Sequence, residues 1–379
     1  MRVLLAFDKF KDALTAREAC EVAARTLAAK HADWHCDLCP LTDGGEGFGD
    51  ILTHAAGGQR IVLKVSGPRN GSIEAPLGLV KADRLPATVR ASIPLADADT
   101  LAVVEMAGAS GLALLPPGQR DPWHTTTFGT GQLIRAAAER QSSAILLGIG
   151  GSATNDLGLG ALAALGFEFR TTTGGIISPP VPATWEQIAR IEGKLSPSLP
   201  PVFIACDVSN PLLGPQGATA IYGPQKGLRA GDLPRLEAAV ASMARRLCEY
   251  CSQPPELITT PGTGAAGGIS FGLMAAAQAR LLPGFDLVSG WLDLSQRIAA
   301  ADLVITGEGR FDQSSLSGKG PGSIYAEARR MGKQAHVFAG SLGVPAADSL
   351  HAITPPGMPL SDALRRTAEL LAAALSQQL

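Results

Sequence analysis

Short apolar runs punctuate the chain, and most stop at a polar or glycine-rich turn. VLLAF stops at Asp8, and CDLCPL at Thr42-Asp43-Gly44-Gly45-Glu46-Gly47. AILLGI runs into GIGGSATND, residues 148–156, and VFIAC stops at Asp207. DLVIT stops at Gly307-Glu308-Gly309-Arg310, and AHVFAG at Ser341. Alanine-rich helical stretches separate these runs. A strand apolar on both faces must be covered on both, so strands alternating with helices predict parallel sheets between helical layers. Ligands of such α/β sheets bind at the carboxyl ends of the strands. The acids of these turns concentrate there.

Length and charge narrow the class. The 379 residues suffice for two or three domains. With 46% hydrophobic and 17% charged residues, a large buried core is feasible. A net charge of −2 lacks the basic footprint of a nucleic-acid or membrane-surface protein. The expected partner is therefore a small molecule, with no nucleic acid and no membrane. MRVLLAFDKFK has too short an apolar run for a signal peptide, and no run of about 18 apolar residues occurs. The expected location is the cytoplasm, and the expected assembly a monomer or homodimer. Six cysteines include Cys36-x-x-Cys39 and Cys248-x-x-Cys251. Residues three apart on a strand point to opposite faces, so a zinc site is not expected.

Local signals place the elements. Thr15-Ala-Arg-Glu18 reads as a capping box opening a helix, and the spacing from Leu236 to Leu247 reads as another. Ser66 to Thr100 reads as antiparallel strands with turns. The expected domains are 1–65 with 284–379, and an inserted 66–283.

GIGGSATND admits three readings. Gly148, Gly150 and Ala153 fit a dinucleotide fingerprint, with Glu168 where a ribose acid would stand. Alternatively the glycines free backbone N–H groups and Ser152 or Thr154 donates to an anion. The third reading is a tight strand-to-helix turn capped by Asn155 or Asp156. In TDGGEG, Asp43 and Glu46 share a glycine turn suited to a magnesium ion or its waters, or are surface acids. Asp8, Lys9 and Lys11 form a strand-mouth group able to meet a small anion. TGEGRFDQSSLSGKG holds Glu308, Arg310, Asp312 and Lys319; it is not a Walker A loop, but its cations are of the type that neutralise charge in phosphoryl transfer. Lys226 in GPQKG and the glycines of TGAAGG, residues 263–268, could line a nucleotide. Asp207 and Asn210 form another strand-end pair.

Taken in order, PLTDGGEG, RDPWHTTTFGTGQLI, GIGGSATNDLGLG, ACDVSNPLLGPQGA, YGPQKG, TGAAGG and DLVITGEGR resemble the bacterial class I glycerate kinases along nearly the whole chain. The resemblance implies two α/β domains, one of them flavodoxin-like, with the active site in the cleft between them. It implies ATP- and Mg2+-dependent phosphorylation of D-glycerate, usually to 2-phosphoglycerate. Lys9 stands where the family has serine, and Ser314 and Ser317 where it tends to have glutamine and histidine.

On this reading Gly150, Gly151, Ser152, Thr154, Asn155, Gly264 and Gly267, with Lys226 and Lys319, hold the nucleotide. Asp43, Glu46 and Asp156, aided by Asp207, hold the metal. Lys11 and Arg310 take the substrate carboxylate, and Asp8 or Asp207 accepts the hydroxyl proton. Two rivals stay open at this point: an NAD-dependent dehydrogenase built on Gly148, Gly150, Ala153 and Glu168, and a non-catalytic nucleotide-binding regulator.

Overall fold

The computed structural model describes residues 1–316, 320–345 and 347–379. The chain forms two compact units, Met1–Asp43 with Val288–Leu379, and Gly44–Leu287. The expected boundary near 66 falls inside the second unit. Strand β3 (Gln59–Ser66) pairs along its whole length with β4 (Ser72–Lys81) and so carries residues 44–65 with it.

The first unit is built on β1 (Arg2–Phe7), β2 (His35–Leu38), β11 (Leu303–Gly307), β13 (Gln334–Ala339) and β15 (Leu350–Ala352). These form one sheet in the order β15-β13-β11-β1-β2, with every neighbour parallel. Numbered along the unit, this is the 2-1-3-4-5 order of flavodoxin-like sheets, whose switch point lies between β1 and β11. Val3 to Phe7 and Leu303 to Gly307 are all buried, as the two-sided apolar runs require. Helix α1 (Ala16–Lys30) opens with the expected capping box, Thr15 and Glu18 each bonding the other's backbone N–H. Its Ala19, Ala23 and Leu27 join Leu5, Phe7, Leu371 and Leu375 in one core cluster.

The second unit has a mixed sheet. β5 (Thr100–Glu105), β6 (Ala144–Gly148), β9 (Val202–Ala205) and β10 (Arg280–Leu282) run parallel, and β4 and β3 complete it antiparallel. The antiparallel pairing expected across 66–100 is present. However, the stretch before Thr100 is not a further hairpin. A 3-10 turn at Ala82–Arg84 and a helix at Ala87–Ser92 fill it. Pro86, its φ preset at −54°, stands at the start of that helix. A separate ribbon pairs β7 (Phe167–Arg170) with β8 (Arg190–Gly193). The expected helix around 236–247 spans Leu233–Tyr250. No helix among the described residues is long and apolar enough to cross a membrane.

Candidate active site

In the first unit, chemistry gathers at the carboxyl end of the parallel sheet. A cavity of about 630 Å3 opens there, lined by Asp8, Lys9, Lys11, Asp43, Glu308 and Arg310. Ile353, Met358 and Leu364 supply an apolar wall. Asp8 follows β1 and Glu308 follows β11, so the two acids flank the switch point. The register holds them there, because the Asp8 N–H donates to the Gly307 carbonyl at 2.9 Å. The Lys9 N–H donates to Asp8 Oδ1 at 2.7 Å, and Lys9 Nζ reaches Asp43 Oδ1 at 3.2 Å. Arg310 Nε reaches Asp312 Oδ2 at 3.2 Å. The Ser314 hydroxyl and N–H, with Arg310, hold the Asp312 carboxyl below the usual range.

Glu308 differs from its neighbours. Its pKa is pushed up to about 7, chiefly by burial; the Ser315 hydroxyl opposes this, and the charges of Asp8, Asp312 and Asp43 add to it. Its Oε1 is buried and has no hydrogen-bond partner among the described residues.

In the second unit, GIGGSATND leaves β6 and reaches a short helix only at Leu159. Its backbone interlocks with that of TDGGEG. The Gly150 N–H donates to the Gly44 carbonyl at 2.9 Å. A Cβ on Gly150 would lie 2.7 Å from Gly45 N and Cα. Gly151 is exposed, with φ +70°, and lies beside the half-buried Glu46. Ser152, Thr154 and Asn155 are buried; Thr154 Oγ1 and Asn155 Oδ1 find no partner among the described residues.

The metal role expected of Asp156 does not fit its surroundings. The side chain is wholly buried. It already accepts from the Thr127 N–H and hydroxyl, both at 2.8 Å, and from the Gly158 and Gly160 N–H groups at 3.2 Å. It thus holds the Gly158 N–H just before the helix and the Gly160 N–H in its first turn. Burial raises its pKa, which those four bonds oppose. Lys226, expected at a phosphate, is buried as well, and its Nζ donates to the Thr154 carbonyl at 2.6 Å. Burial lowers its pKa to about 7, while Asp156 acts in the opposite direction.

Gly264 and Gly267 explain themselves by packing. The Gly264 N–H donates to the Asn210 carbonyl at 3.0 Å, and a Cβ on Gly267 would stand 2.0 Å from the Thr154 carbonyl oxygen. Asp207 is half-buried and accepts the Phe285 N–H on both oxygens, at 3.1 and 3.0 Å. Asn210 accepts from the Tyr222 hydroxyl at 2.7 Å. Lys319 and Ser317 lie outside the described residues.

The structure therefore brings Asp8, Lys11, Arg310 and Asp43 to one cavity, and places Glu46, Asp156, Asp207 and the glycine loops in the other unit. Among the described residues, no three His, Cys, Asp or Glu side chains gather as a metal cluster. Glu308 was noted in the sequence but given no role. Glu105 was missed altogether. It ends β5, is 8% exposed, and accepts the Gly49 N–H at 3.0 Å near the start of α2 (Phe48–Ala55). Its pKa is pushed up to about 7, by burial first. The run LAVVE ends in an acid like the others, so the same strand-end rule points to it. The dinucleotide reading fails on Glu168. That residue pairs with Arg170 on the β7–β8 ribbon, outside the sheet that holds β6.

Comparison with known proteins agrees with the motif order. The model of the Glycerate kinase family matches residues 3–378. The glycerate kinase of Bacillus subtilis is 37% identical, covering 98% of this chain and 95% of that protein. The glycerate 2-kinase of Escherichia coli is 36% identical, covering 90% and 86%. A crystal structure from Salmonella typhimurium LT2, provisionally named glycerate kinase 2, superposes with a TM-score of 0.76 at 35% identity, covering 100% of this chain and 96% of that one. With both the sequence and the fold matched from end to end, the chain belongs to the glycerate kinase family and is a glycerate kinase.

Proposed function

We propose that the chain transfers the γ-phosphoryl group of ATP to the 2-hydroxyl of D-glycerate, and that the cavity at the β1–β11 switch point holds the glycerate. One observation carries this reading. The cavity combines Lys11 and Arg310, cations for a small carboxylate, with Asp8 and Glu308, carboxylates for a hydroxyl. Phosphoryl transfer asks little covalent chemistry of a protein, so positioning and charge neutralisation carry most of the work. The name of the E. coli relative supports the 2-hydroxyl.

Membership of a kinase family implies ATP as donor. GIGGSATND supports a phosphate role through the exposed Gly151, with the hydroxyl of the buried Ser152 next to it in the chain. Asp156 and Lys226 hold this loop from beneath, and Gly264 and Gly267 let neighbouring backbones close on it and on Asn210. Magnesium suits this arrangement without a cage of protein ligands. It keeps several waters and usually takes one or two carboxylates plus the substrate phosphates. Glu46 beside Gly151 is the carboxylate best placed for that in its unit, and Asp43 is the candidate in the other. When bound, the ion neutralises charge on the triphosphate.

The test is a 31P spectrum after incubation with D-glycerate, ATP and Mg2+. The 2-phosphoglycerate resonance is expected. The 3-phospho isomer would remove the regiochemistry, and unconsumed ATP would remove the reaction.

A further inference from the structure

We propose that Glu308 accepts the proton of the substrate hydroxyl during transfer: it lines the cavity across the switch point from Asp8, with one buried carboxylate oxygen that has no hydrogen-bond partner among the described residues. The inference rests on the phosphoryl-transfer reading above.

Asp8 and Glu308 are the two acids flanking the strands at which ligands of this sheet order bind. They differ in what their oxygens already hold. Asp8 Oδ1 already takes the Lys9 N–H at 2.7 Å. Glu308 Oε1 takes no bond among the described residues. A buried polar atom left without a partner is costly, and a ligand hydroxyl donating into it removes that cost. Around Glu308 stand the carboxylates of Asp8, Asp43 and Asp312 and the Ser315 hydroxyl, and Lys9, Lys11 and Arg310 share the cavity. The three acids make added negative charge costly and a gained proton welcome. Arg310 and Lys11 in the same cavity take the substrate carboxylate.

The step balances simply. The hydroxyl O–H bond breaks and its proton moves to Glu308 Oε1. The same oxygen bonds to the γ-phosphorus, whose bond to the bridging oxygen breaks, and ADP departs with that electron pair. Glu308 then returns its proton to solvent.

The experiment compares wild type with Glu308→Gln and Glu308→Asp in steady-state assays from pH 5.5 to 9. For Glu308→Gln, kcat is expected to fall about 10²- to 10⁴-fold, with KM for glycerate and ATP shifted by no more than about threefold. Wild-type kcat is expected to decline on the acid side of about pH 7. The residual activity of the glutamine variant is flat there, and the aspartate variant recovers part of the rate. A glutamine variant within about fivefold of wild-type kcat, or a loss confined to KM, overturns the assignment. The wild-type profile tests it without any variant, since a kcat that stays flat from pH 9 down to pH 5.5 also overturns it. A wild type that turns over glycerate beside a normal Glu308→Gln variant sinks this inference alone. A wild type that never phosphorylates glycerate sinks the reading beneath it.

Discussion

Lys226 Nζ donates to the Thr154 carbonyl at 2.6 Å, joining the GPQKG turn to the middle of GIGGSATND, with the buried Asp156 carboxylate as its electrostatic counterpart. A cation expected to face phosphate instead holds a loop from inside. Lys226→Met keeps the volume and removes the donor, leaving Asp156 without its counter-charge. Leaving the buried Thr154 carbonyl without its donor costs about 1–3 kcal/mol, so the urea midpoint should fall clearly. A midpoint equal to wild type would show that the amine contributes nothing to the loop.

Glu105 gives the unit that holds it a pH signature. Its folded pKa is about 7 against an ordinary 4.5, so between these values the folded state binds more protons than the unfolded one. Stability is therefore lost as pH rises from about 4.5 to about 7, by on the order of 3 kcal/mol in full. Glu105→Gln removes the charge and keeps an acceptor for the Gly49 N–H. It should match wild type near pH 4 and exceed it above pH 7 in chemical denaturation. Parallel stability curves for the two proteins across that window would contradict the assignment.

Gly150→Ala tests the interlock of the two loops. The added methyl would stand 2.7 Å from Gly45 N and Cα, which are backbone atoms and cannot swing aside. Overpacking of this kind costs roughly 1–3 kcal/mol, with a shift of the loop. Lower thermal stability together with a raised KM for ATP is expected. An alanine variant with wild-type melting would mean that the loops separate freely.

Arg310→Ala tests the glycerate cavity. Arg310 is exposed, and its loss should leave the fold intact. KM for glycerate should rise at least about tenfold while KM for ATP changes little, since one charge-assisted contact is lost. An unchanged KM for glycerate would move the carboxylate elsewhere.

Much of the fold was legible because two-sided burial writes itself into sequence. Leu4, Leu146, Ile204 and Ile305 sit in runs with no polar alternation, and only a covered parallel strand can bury such a run. The acids after those strands were legible for the same reason, since strand ends are where such sheets meet ligands. The capping box at Thr15 was readable because it is satisfied within four residues of chain.

Sequence alone thus determined the α/β class, the strand ends that carry chemistry and, through the order of its motifs, the family. It could not say which way each side chain turns. Asp8, Asp43 and Glu308 meet because β2, β1 and β11 are neighbours in the sheet, though residues 43 and 308 lie far apart in the chain. Asp156 and Lys226 look from sequence like ligands of an ion and a phosphate, but both are buried, one on helix amides and the other on a carbonyl. Burial and partner choice depend on contacts between distant segments. Those contacts alone decided that Glu308 Oε1 has no partner among the described residues while both Asp156 oxygens are taken.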